Sequence, residues 1–229
     1  PIVPPVLVRE SSMEEAGFFP TDENQVYHIE EDNLYLVGTS EVPLAGIHRG
    51  EIIDEKDMPK KYCGFSSCFR REAGSFGKDV RGLNRVHQFE KIEIIQIVEP
   101  QNSYTALDEM VAHVEGLLQS LELPYRIFRL CGGDMSFASA LTYDFEVWSA
   151  AQERWLEVSS VSNFENFQTN RMKCRYKNTD GKTVLAHSLN GSALALPRIV
   201  AAILENYQTV DGITMPKVLV PYLGFDAIK

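Results

Sequence analysis

Two stretches of the sequence place charged and aromatic side chains at alternate positions. Arg70 and Glu72 are two residues apart in the first, and Phe89, Lys91 and Glu93 follow the same spacing in the second. Side chains two residues apart in a strand share one face of a sheet. A guanidinium group suits phosphate, an aromatic ring suits a base, and a carboxylate accepts from an amino group. These residue types suit a nucleotide site, but taken alone they suit cross-strand ion pairs on an exposed sheet face slightly better.

The chain is acidic overall but basic in two stretches. Its 229 residues carry a net charge of −10, which argues against a general nucleic-acid-binding surface and against DNA as a partner. The 70–91 stretch nevertheless contains six basic residues against three acidic ones, the basic residues being Arg70, Arg71, Lys78, Arg81, Arg85 and Lys91. The 171–182 stretch contains Arg171, Lys173, Arg175, Lys177 and Lys182 against Asp180 alone. Both stretches suit anionic ligands, and both also suit ordinary solvated faces.

Several familiar catalytic and metal motifs are missing from the sequence. The segment from Gly74 to Lys78 resembles a P-loop only superficially, because its glycines are too close together and Asp79 follows the lysine. There is no Gly-x-Ser-x-Gly, no His-Glu-x-x-His and no Gly-x-Gly-x-x-Gly after a strand. The four cysteines and five histidines are dispersed without a zinc spacing, so no zinc is expected.

The lengths of the apolar runs and the spacing of the cysteines indicate where in the cell the protein is expected. The longest apolar candidates, such as residues 199–204, fall far short of the roughly 20 residues that a membrane helix needs. The scattered cysteines, without a recognisable signal peptide, favour reduced thiols over a disulfide framework. We therefore expect a cytoplasmic protein with no membrane partner.

The elements that must position these residues are mainly strands. Runs rich in β-branched and aromatic residues predict strands at 62–70, 88–98, 125–131, 142–148, 155–162 and 184–190. Helical periodicity predicts a helix over 103–121 with Ser103 as N-cap, and a second over 192–207. Asp144 and Glu146 share one predicted strand face, where ion pairing and ligand contact both remain open. Hairpin-length loops imply a largely antiparallel sheet, so we expect an α+β fold in one domain over residues 1–229.

Longer motifs resemble those of class II aminoacyl-tRNA synthetases. The segment from Arg70 to Glu93 is similar to motif 2, in the form found in seryl-tRNA synthetases. Gly38-Thr-Ser-Glu-Val-Pro-Leu resembles the amino-acid-binding loop of that family, and Glu157-Val-Ser-Ser-Val-Ser-Asn resembles its metal-binding strand. The segment from Leu189 to Arg198 resembles motif 3. The resemblance extends over essentially the whole chain.

The resemblance implies a fold and a reaction. The fold would be the class II catalytic domain of bacterial type, with a six- or seven-stranded, mainly antiparallel sheet flanked by helices. The chain would begin within motif 1, at Pro4 and Pro5, and would lack the N-terminal coiled-coil arm that binds tRNA in this family. The implied reaction joins L-serine to ATP as seryl-adenylate and then transfers the acyl group to the acceptor end of tRNA(Ser). A homodimer is also implied.

The resemblance also assigns roles to individual residues. The implied ATP site consists of Arg70 at the α-phosphate, Glu72 at the adenine amino group, Arg85 at the β- or γ-phosphate, Phe89 stacked on adenine, Glu157, Ser160, and Arg198 at the γ-phosphate and the other face of adenine. The implied serine site consists of Thr39, Glu41, Arg70, Glu93, Asn190 and Ser192, with Glu93 paired to the ammonium group. The implied Mg²⁺ ligands are Glu157 and Ser160. Arg70, Arg198 and Glu157 are the implied catalytic residues, because the chemistry requires neutralised phosphate charge.

Two other functions remain open at this point. One is a truncated relative that loads the activated amino acid onto a carrier protein, but such relatives resemble a zinc-containing branch of the family. The other is a catalytically inactive paralogue with a regulatory or interaction role. The second alternative is disfavoured by the retention of Arg70, Glu72, Phe89, Glu157 and Arg198.

Overall fold

The computed structural model describes residues 1–74 and 82–229. Lys78 and Arg81 of the first basic stretch, and most of the P-loop-like segment, lie outside the described residues. In chain order the strands are β1 (Leu7–Arg9), β2 (His28–Ile29), β3 (Leu34–Leu36), β4 (Ile52–Asp54), β5 (Lys60–Phe69), β6 (Gln88–Val98), β7 (Tyr125–Arg129), β8 (Leu141–Ser149), β9 (Arg154–Glu165), β10 (Arg175–Lys177), β11 (Thr183–Leu185), β12 (His187–Ala195), β13 (Gln208–Thr209), β14 (Gly212–Thr214) and β15 (Ala227–Ile228). The helices are α1 (Glu10–Ala16), α2 (Glu41–Ala45), α3 (Ser103–Ser120), α4 (Phe167–Arg171), α5 (Leu196–Asn206) and α6 (Val220–Leu223).

The long strands form a central six-stranded sheet in the order β5-β6-β12-β9-β8-β7. Every neighbouring pair in this sheet is antiparallel. β5 and β6 form its longest hairpin, in register from Lys60 opposite Ile97 to Phe69 opposite Gln88. With helices packed against this sheet, the predicted α+β class is confirmed, as is the predicted six- or seven-stranded, mainly antiparallel sheet, which has six strands.

One face of the central sheet packs against α3 and α5. The buried residues of α3 recur every three or four positions, as a helix that buries a single stripe requires, and they include Ala106, Leu107, Met110, Val114 and Leu118. Phe145, Val161 and Leu189 reach the same cluster from the sheet. Because each fully buried large apolar side chain contributes about 1.5–3 kcal/mol, this core holds the site-bearing strands β6, β9 and β12 in place.

The opposite face of the sheet is covered by the N-terminal part of the chain. Met13, Val37 and Leu44, from this N-terminal part, pack there with Ile95 of β6. Ile94, the preceding residue of β6, packs against the main core instead. Because strand side chains alternate, Glu93 shares the face of Ile95. The polar residues of β6 therefore lie between the sheet and the N-terminal part.

Three smaller sheets lie outside the central one. β1, β3 and β2 form one of them, and β13, β14 and β15 form another. In the third, β10 pairs with β11 in antiparallel and with β4 in parallel. The basic 171–182 stretch lies mainly in this third sheet and in the turns beside it. Within residues 1–74 and 82–229, no helix has both the length and the apolar character that crossing a membrane would require.

The prediction that Arg70 and Glu72 share a strand face was wrong. β5 ends at Phe69, and Glu72 adopts a φ of 51°. A residue in the left-handed region turns the chain and ends the alternation of an extended strand. Arg70 and Glu72 therefore reach the same space from a turn.

The predicted start of the second helix and the predicted N-cap of the first were also wrong. β12 continues to Ala195, so α5 begins at Leu196 and Arg198 lies in its first turn rather than two turns in. Pro197 fits this start, because the first helical residues need no N–H partner. Ser103 is the first residue of α3 rather than its N-cap, and its hydroxyl donates to the main-chain oxygen of Pro100.

Candidate active site

A cleft with two adjoining compartments opens on the face of the sheet that carries Glu93. The outer compartment is lined by residues that include Arg70, Glu72, Arg85, Phe89, Glu157 and Arg198. The inner compartment is lined by residues that include Thr39, Glu41, Ser160, Asn190 and Ser192. Arg70, Lys91, Glu157 and Ser192 line both, so the two compartments are continuous. The fold thus brings the predicted ATP and serine residues together, with Glu93 buried directly beneath.

Arg70 and Phe89 face each other in the outer compartment. The Cζ atom of Arg70 lies 5.5 Å from the centroid of the Phe89 ring, within the range of a cation–π contact. Phe69, the last residue of β5, pairs with Gln88, the first residue of β6. This register puts Phe89 opposite Cys68 and Arg70 opposite His87, so Arg70 and Phe89 are diagonal neighbours on one face of the hairpin. A guanidinium group and an aromatic ring are consequently presented to the same ligand.

The guanidinium group of Arg198 is held from two sides. Its Nη1 donates to the main-chain oxygen of Glu157 at 2.6 Å, and its Nε donates to that of Asn84 at 3.2 Å. Burial lowers the pKa of Arg198, while the nearby Glu157 carboxylate acts in the opposite direction. The start of α5 at Leu196 thereby fixes a cation over the outer compartment before any ligand binds.

Glu72 and Arg85 form an ion pair at the edge of the outer compartment. Arg85 Nη1 lies 2.9 Å from Glu72 Oε2, and the Glu72 side chain is 14% exposed. The left-handed backbone of Glu72 is uncommon for a residue with a long side chain. Outliers of this kind persist only where the surrounding structure enforces them, and they cluster at functional sites.

Lys91 and Glu93 form a buried ion pair under the inner compartment. Lys91 Nζ lies 2.6 Å from Glu93 Oε2 and donates to Thr39 Oγ1 at 2.7 Å, and Thr39 donates in turn to Glu93 at 3.1 Å. These hydrogen bonds offset part of the cost of burying both charges. Lys91 is missing from the predicted site sets. The alternation that aligned it with Phe89 and Glu93 was the signal for it.

Amide side chains connect the second buried carboxylate, Glu41, to the first. Asn190 Nδ2 donates to Glu41 and also to Glu93 Oε1, the latter at 3.1 Å. Gln168 Nε2 donates to Glu41 Oε1 at 2.7 Å. Burial, and then the charge of Glu93, raise the pKa of Glu41 to about 8 against the pull of these donors. Glu41 therefore favours its neutral form at pH 7, while Lys91 balances Glu93.

Three oxygen-bearing side chains lie on neighbouring strands at the cleft, where Glu157 lines both compartments and Ser160 lines the inner one. Glu157 and Ser160 are on β9, and Asp144 of β8 is directly opposite Ser160. Burial, and then the charge of Glu157, raise the pKa of Asp144 to about 6. Its Oδ1 is buried without a hydrogen-bond partner among the described residues. Carboxylate and hydroxyl oxygens with one unsatisfied atom fit a hard divalent cation.

Asp144 and Glu146 have different surroundings. Glu146 forms an ion pair with Arg126, which agrees with the ion-pairing alternative stated for this strand face. Asp144 is turned toward Ser160 and Glu157, next to the cleft. The pairing of β8 with β9 shifts register between Phe145 and Glu146, where Val158 of β9 is left without a partner on β8. The sequence gives no sign of this irregularity.

Comparison with known sequences identifies a family. The family described as tRNA synthetase class II core domain (G, H, P, S and T) matches residues 25–207. A serine–tRNA ligase from Methylacidiphilum infernorum is 56% identical over 218 residues, which are 95% of this chain and 51% of that protein. A serine–tRNA ligase from Salinibacter ruber is 53% identical over 226 residues, which are 98% of this chain and 53% of that protein. The chain spans about half the length of the curated relatives it matches.

Comparison with solved structures agrees with the sequence match. The crystal structure of seryl-tRNA synthetase from Pyrococcus horikoshii complexed with ATP has a TM-score of 0.95 and 41% identity, covering 100% of this chain and 52% of that chain. The predicted class II catalytic fold is thereby confirmed, as is the resemblance seen in the sequence motifs. Since the family match takes in most of the chain, the chain belongs to the tRNA synthetase class II core domain family.

Proposed function

We propose that this chain activates L-serine with ATP to give seryl-adenylate and transfers the seryl group to tRNA(Ser). The observation that carries the proposal is the shared wall of the cleft. Arg70, Lys91, Glu157 and Ser192 line both compartments, so a nucleotide in the outer one and an amino acid in the inner one would meet at these residues. The names of the relatives, and the ATP complex of the Pyrococcus horikoshii structure, support the same function.

The outer compartment has the side chains that ATP requires. Phe89 and Arg198 enclose adenine, and Glu72 accepts a hydrogen bond from its amino group. Arg70 binds the α-phosphate, where it also meets the serine carboxylate. Arg85 and Arg198 bind the outer phosphates as charge-assisted donors.

The chemistry proceeds in two displacements. A carboxylate oxygen of serine attacks the α-phosphorus, the bond to the bridging oxygen breaks, and pyrophosphate leaves. A ribose hydroxyl at the tRNA end then attacks the carbonyl carbon, and AMP leaves. The serine carboxylate is already a nucleophile, so the first step needs no protein base. Arg70 contributes by aligning the reactants and by neutralising the charge that builds up on the phosphoryl oxygens.

The inner compartment is suited to a small hydroxylated amino acid. Glu93 is buried and paired with Lys91 beneath the compartment, so the ammonium group of serine would share the charge of Glu93 with Lys91. Thr39, Asn190 and Ser192 would supply hydrogen-bond partners beside the ammonium group. Alanine and glycine lack the hydroxyl group that these partners would bind, so they would form fewer hydrogen bonds in the pocket than serine. Glu41 supports the pocket through its bond with Asn190.

Magnesium is proposed at the junction of the two compartments. Glu157 and Ser160 would hold it, and the unsatisfied Oδ1 of Asp144 lies beside them. Bound there, the ion would neutralise phosphate charge. Within the described part of the chain, no three His, Cys, Asp or Glu side chains are grouped for a metal. Phosphate and water would therefore complete the coordination, as is usual for Mg²⁺.

Amino-acid-dependent exchange of pyrophosphate into ATP, measured with all twenty amino acids, tests the proposal. Serine should support exchange well above alanine, glycine and threonine. Threonine is the critical competitor because it differs by one methyl group, a difference worth about 1–3 kcal/mol. Comparable kcat/KM for serine and alanine would refute the pocket. Nucleotide binding without exchange for any amino acid would indicate the inactive paralogue.

Three further features stay predictions of the sequence. The homodimer and the tRNA acceptor end as partners rest on the family resemblance. Cytoplasmic location rests on the cysteines, all four of which are free thiols in the structure. Zinc is not expected.

A further inference from the structure

A short N-terminal segment, residues 22–27, lies against both ends of the connection between β5 and β6. That connection carries Arg70, Glu72 and Arg85 into the outer compartment. Gln25 contacts the end that leaves β5, and Tyr27 contacts the end that enters β6. Neither residue belongs to the predicted site sets.

The side chain of Gln25 grips the peptide that follows Glu72. Its Nε2 donates to the main-chain oxygen of Ala73 at 3.1 Å, and its Oε1 accepts from the main-chain nitrogen of Ala73 at 3.2 Å. The main-chain oxygen of Gln25 accepts from Arg71 at 2.8 Å. Glu72, with its φ of 51°, thus lies between two residues that are both tied to Gln25. These bonds explain how an uncommon backbone conformation is maintained.

Tyr27 holds the returning end of the same connection. Its hydroxyl lies 2.6 Å from His87 Nδ1, and the main-chain oxygen of His87 accepts from Arg70 at 3.0 Å. His87 stands two residues after Arg85 and two residues before Phe89. The contact between Tyr27 and His87 therefore restrains the segment that carries both Arg85 and Phe89.

We propose that Gln25 and Tyr27 are positioning residues for the nucleotide site. Gln25 aims Glu72 at the amino group of adenine, and Tyr27 holds the segment that presents Arg85 and Phe89. The inference rests on the proposed function, because it requires a nucleotide in the outer compartment. Both polar atoms of the Gln25 amide are engaged by Ala73, so Gln25 acts through Glu72. A supporting contact of this kind sets how accurately a binding group is held.

The test measures equilibrium binding of ATP and of inosine triphosphate to the 229-residue chain in the presence of Mg²⁺. Comparing the two nucleotides distinguishes a change in the orientation of Glu72 from a general loss of structure. Inosine carries a carbonyl oxygen where adenine carries the amino group. Gln25→Ala should weaken ATP binding by about tenfold, the effect of one or two lost hydrogen bonds. It should leave the binding of inosine triphosphate nearly unchanged. Tyr27→Phe should weaken the binding of both nucleotides without lowering the midpoint of thermal unfolding, because it acts on the phosphate and stacking residues. Unchanged affinity for both nucleotides, or a loss of affinity that comes with a lower midpoint, would overturn the role of Tyr27.

A double substitution shows whether Gln25 acts through Glu72. Glu72→Asn replaces the carboxylate with a shorter, uncharged amide side chain but keeps a residue type that tolerates the left-handed region. In that background, Gln25→Ala should add little further loss of ATP affinity, because two residues that serve one contact are not additive. Gln25→Glu keeps the acceptor for the Ala73 nitrogen but loses the donor, so it should recover part of the affinity.

Two matched substitutions serve as controls. Gln119 donates to Tyr125 at 3.0 Å and Tyr104 donates to Glu165 at 2.6 Å, both at exposed positions away from the cleft. Gln119→Ala and Tyr104→Phe should leave both nucleotide affinities unchanged. Thermal unfolding of every variant shows whether it is folded.

The outcomes separate this inference from the proposed function. A preference for ATP over inosine triphosphate that survives Gln25→Ala overturns the positioning role alone. An equal loss of both nucleotides in Gln25→Ala also overturns it, because a merely structural role would have that effect. A wild-type chain that binds neither nucleotide overturns the proposed function together with the inference.

Discussion

Lys91 and Glu93 show how one buried pair sets the character of the inner compartment. Their side chains are 8% and 1% exposed, and the charged atoms lie 2.6 Å apart. If one charge is removed, the other is left uncompensated where water does not reach it. That loss is much larger than the loss of a surface pair, in which both partners remain hydrated.

We expect Lys91→Met to lower the free energy of unfolding by about 3–5 kcal/mol, as measured by urea denaturation. Lys61→Met is the matched control, since Lys61 pairs with Glu109 at an exposed position and should change stability by at most about 1 kcal/mol. Adding Glu93→Gln to Lys91→Met should restore part of the stability. Equal effects of the two lysine substitutions would contradict the buried pair.

Arg70 is the residue at which the two proposed substrates meet. We expect Arg70→Ala to reduce kcat/KM for serine-dependent pyrophosphate exchange. The reduction should correspond to about 2.7–4 kcal/mol of lost transition-state stabilisation, as for other preorganised electrostatic contacts. Arg49→Ala is the control, because Arg49 pairs with Glu15 outside the cleft. Unchanged kinetics in Arg70→Ala would remove the residue from the proposed site.

Glu41 should make stability depend on pH. Burial raises its pKa from 4.5 to about 8 in the folded chain, so the unfolded chain releases this proton first as the pH rises. Stability is therefore lost progressively between about pH 5 and pH 8, with no further loss above. The difference in free energy of unfolding between Glu41→Gln and wild type, measured with urea, should therefore shift in favour of the variant as the pH rises from about 5 to 8. Glu109→Gln, at an exposed carboxylate, should show no such shift.

At the scale of elements, α3 supports the strands that carry the site without contributing a site residue itself. It buries one stripe against β9 and β12, which bear Glu157, Asn190 and Ser192. Phe145, Val161 and Leu189 meet this stripe from the sheet. The geometry of the cleft consequently depends on packing on the far side of the sheet.

We expect Leu118→Ala to lower the free energy of unfolding by about 2–5 kcal/mol, through lost burial and the cavity left behind. Leu118 is 0% exposed. Leu223→Ala is the matched control, since Leu223 is 41% exposed and should cost much less. Similar midpoints in urea for the two variants would contradict the role of α3 in the core.

At the scale of the whole molecule, charge should separate the two half-reactions. The proposed adenylate formation would use the cleft between Thr39 and Arg198, whereas tRNA is a large polyanion that would meet a chain of net charge −10. We expect the 229-residue chain to exchange pyrophosphate with serine but to charge tRNA poorly, with tRNA binding that falls as salt rises. Both activities are measured on one preparation. If tRNA were charged as fast as pyrophosphate is exchanged, this prediction would be wrong, and the basic 171–182 stretch would be the next candidate for tRNA binding.

The sequence by itself determined the class of fold and predicted which residues form the candidate site. Strand and helix periods are local properties, so the strands near 88–98 and the helix near 103–121 could be predicted from neighbouring residues. Alternation along β6 also placed Phe89, Lys91 and Glu93 on one face, because strand side chains two residues apart point the same way. The motif resemblance added Thr39, Asn190 and Arg198 to the same site.

Only the tertiary structure decided which distant side chains touch. Gln168 meets Glu41 across 127 positions, and Gln25 meets Ala73 across 48. Such contacts depend on strand register and on the packing of separate elements, which leave no periodic trace in the sequence. The end of β5 at Phe69 and the left-handed turn at Glu72 have the same origin. There, hydrogen bonds to a distant segment override the local preference for an extended strand.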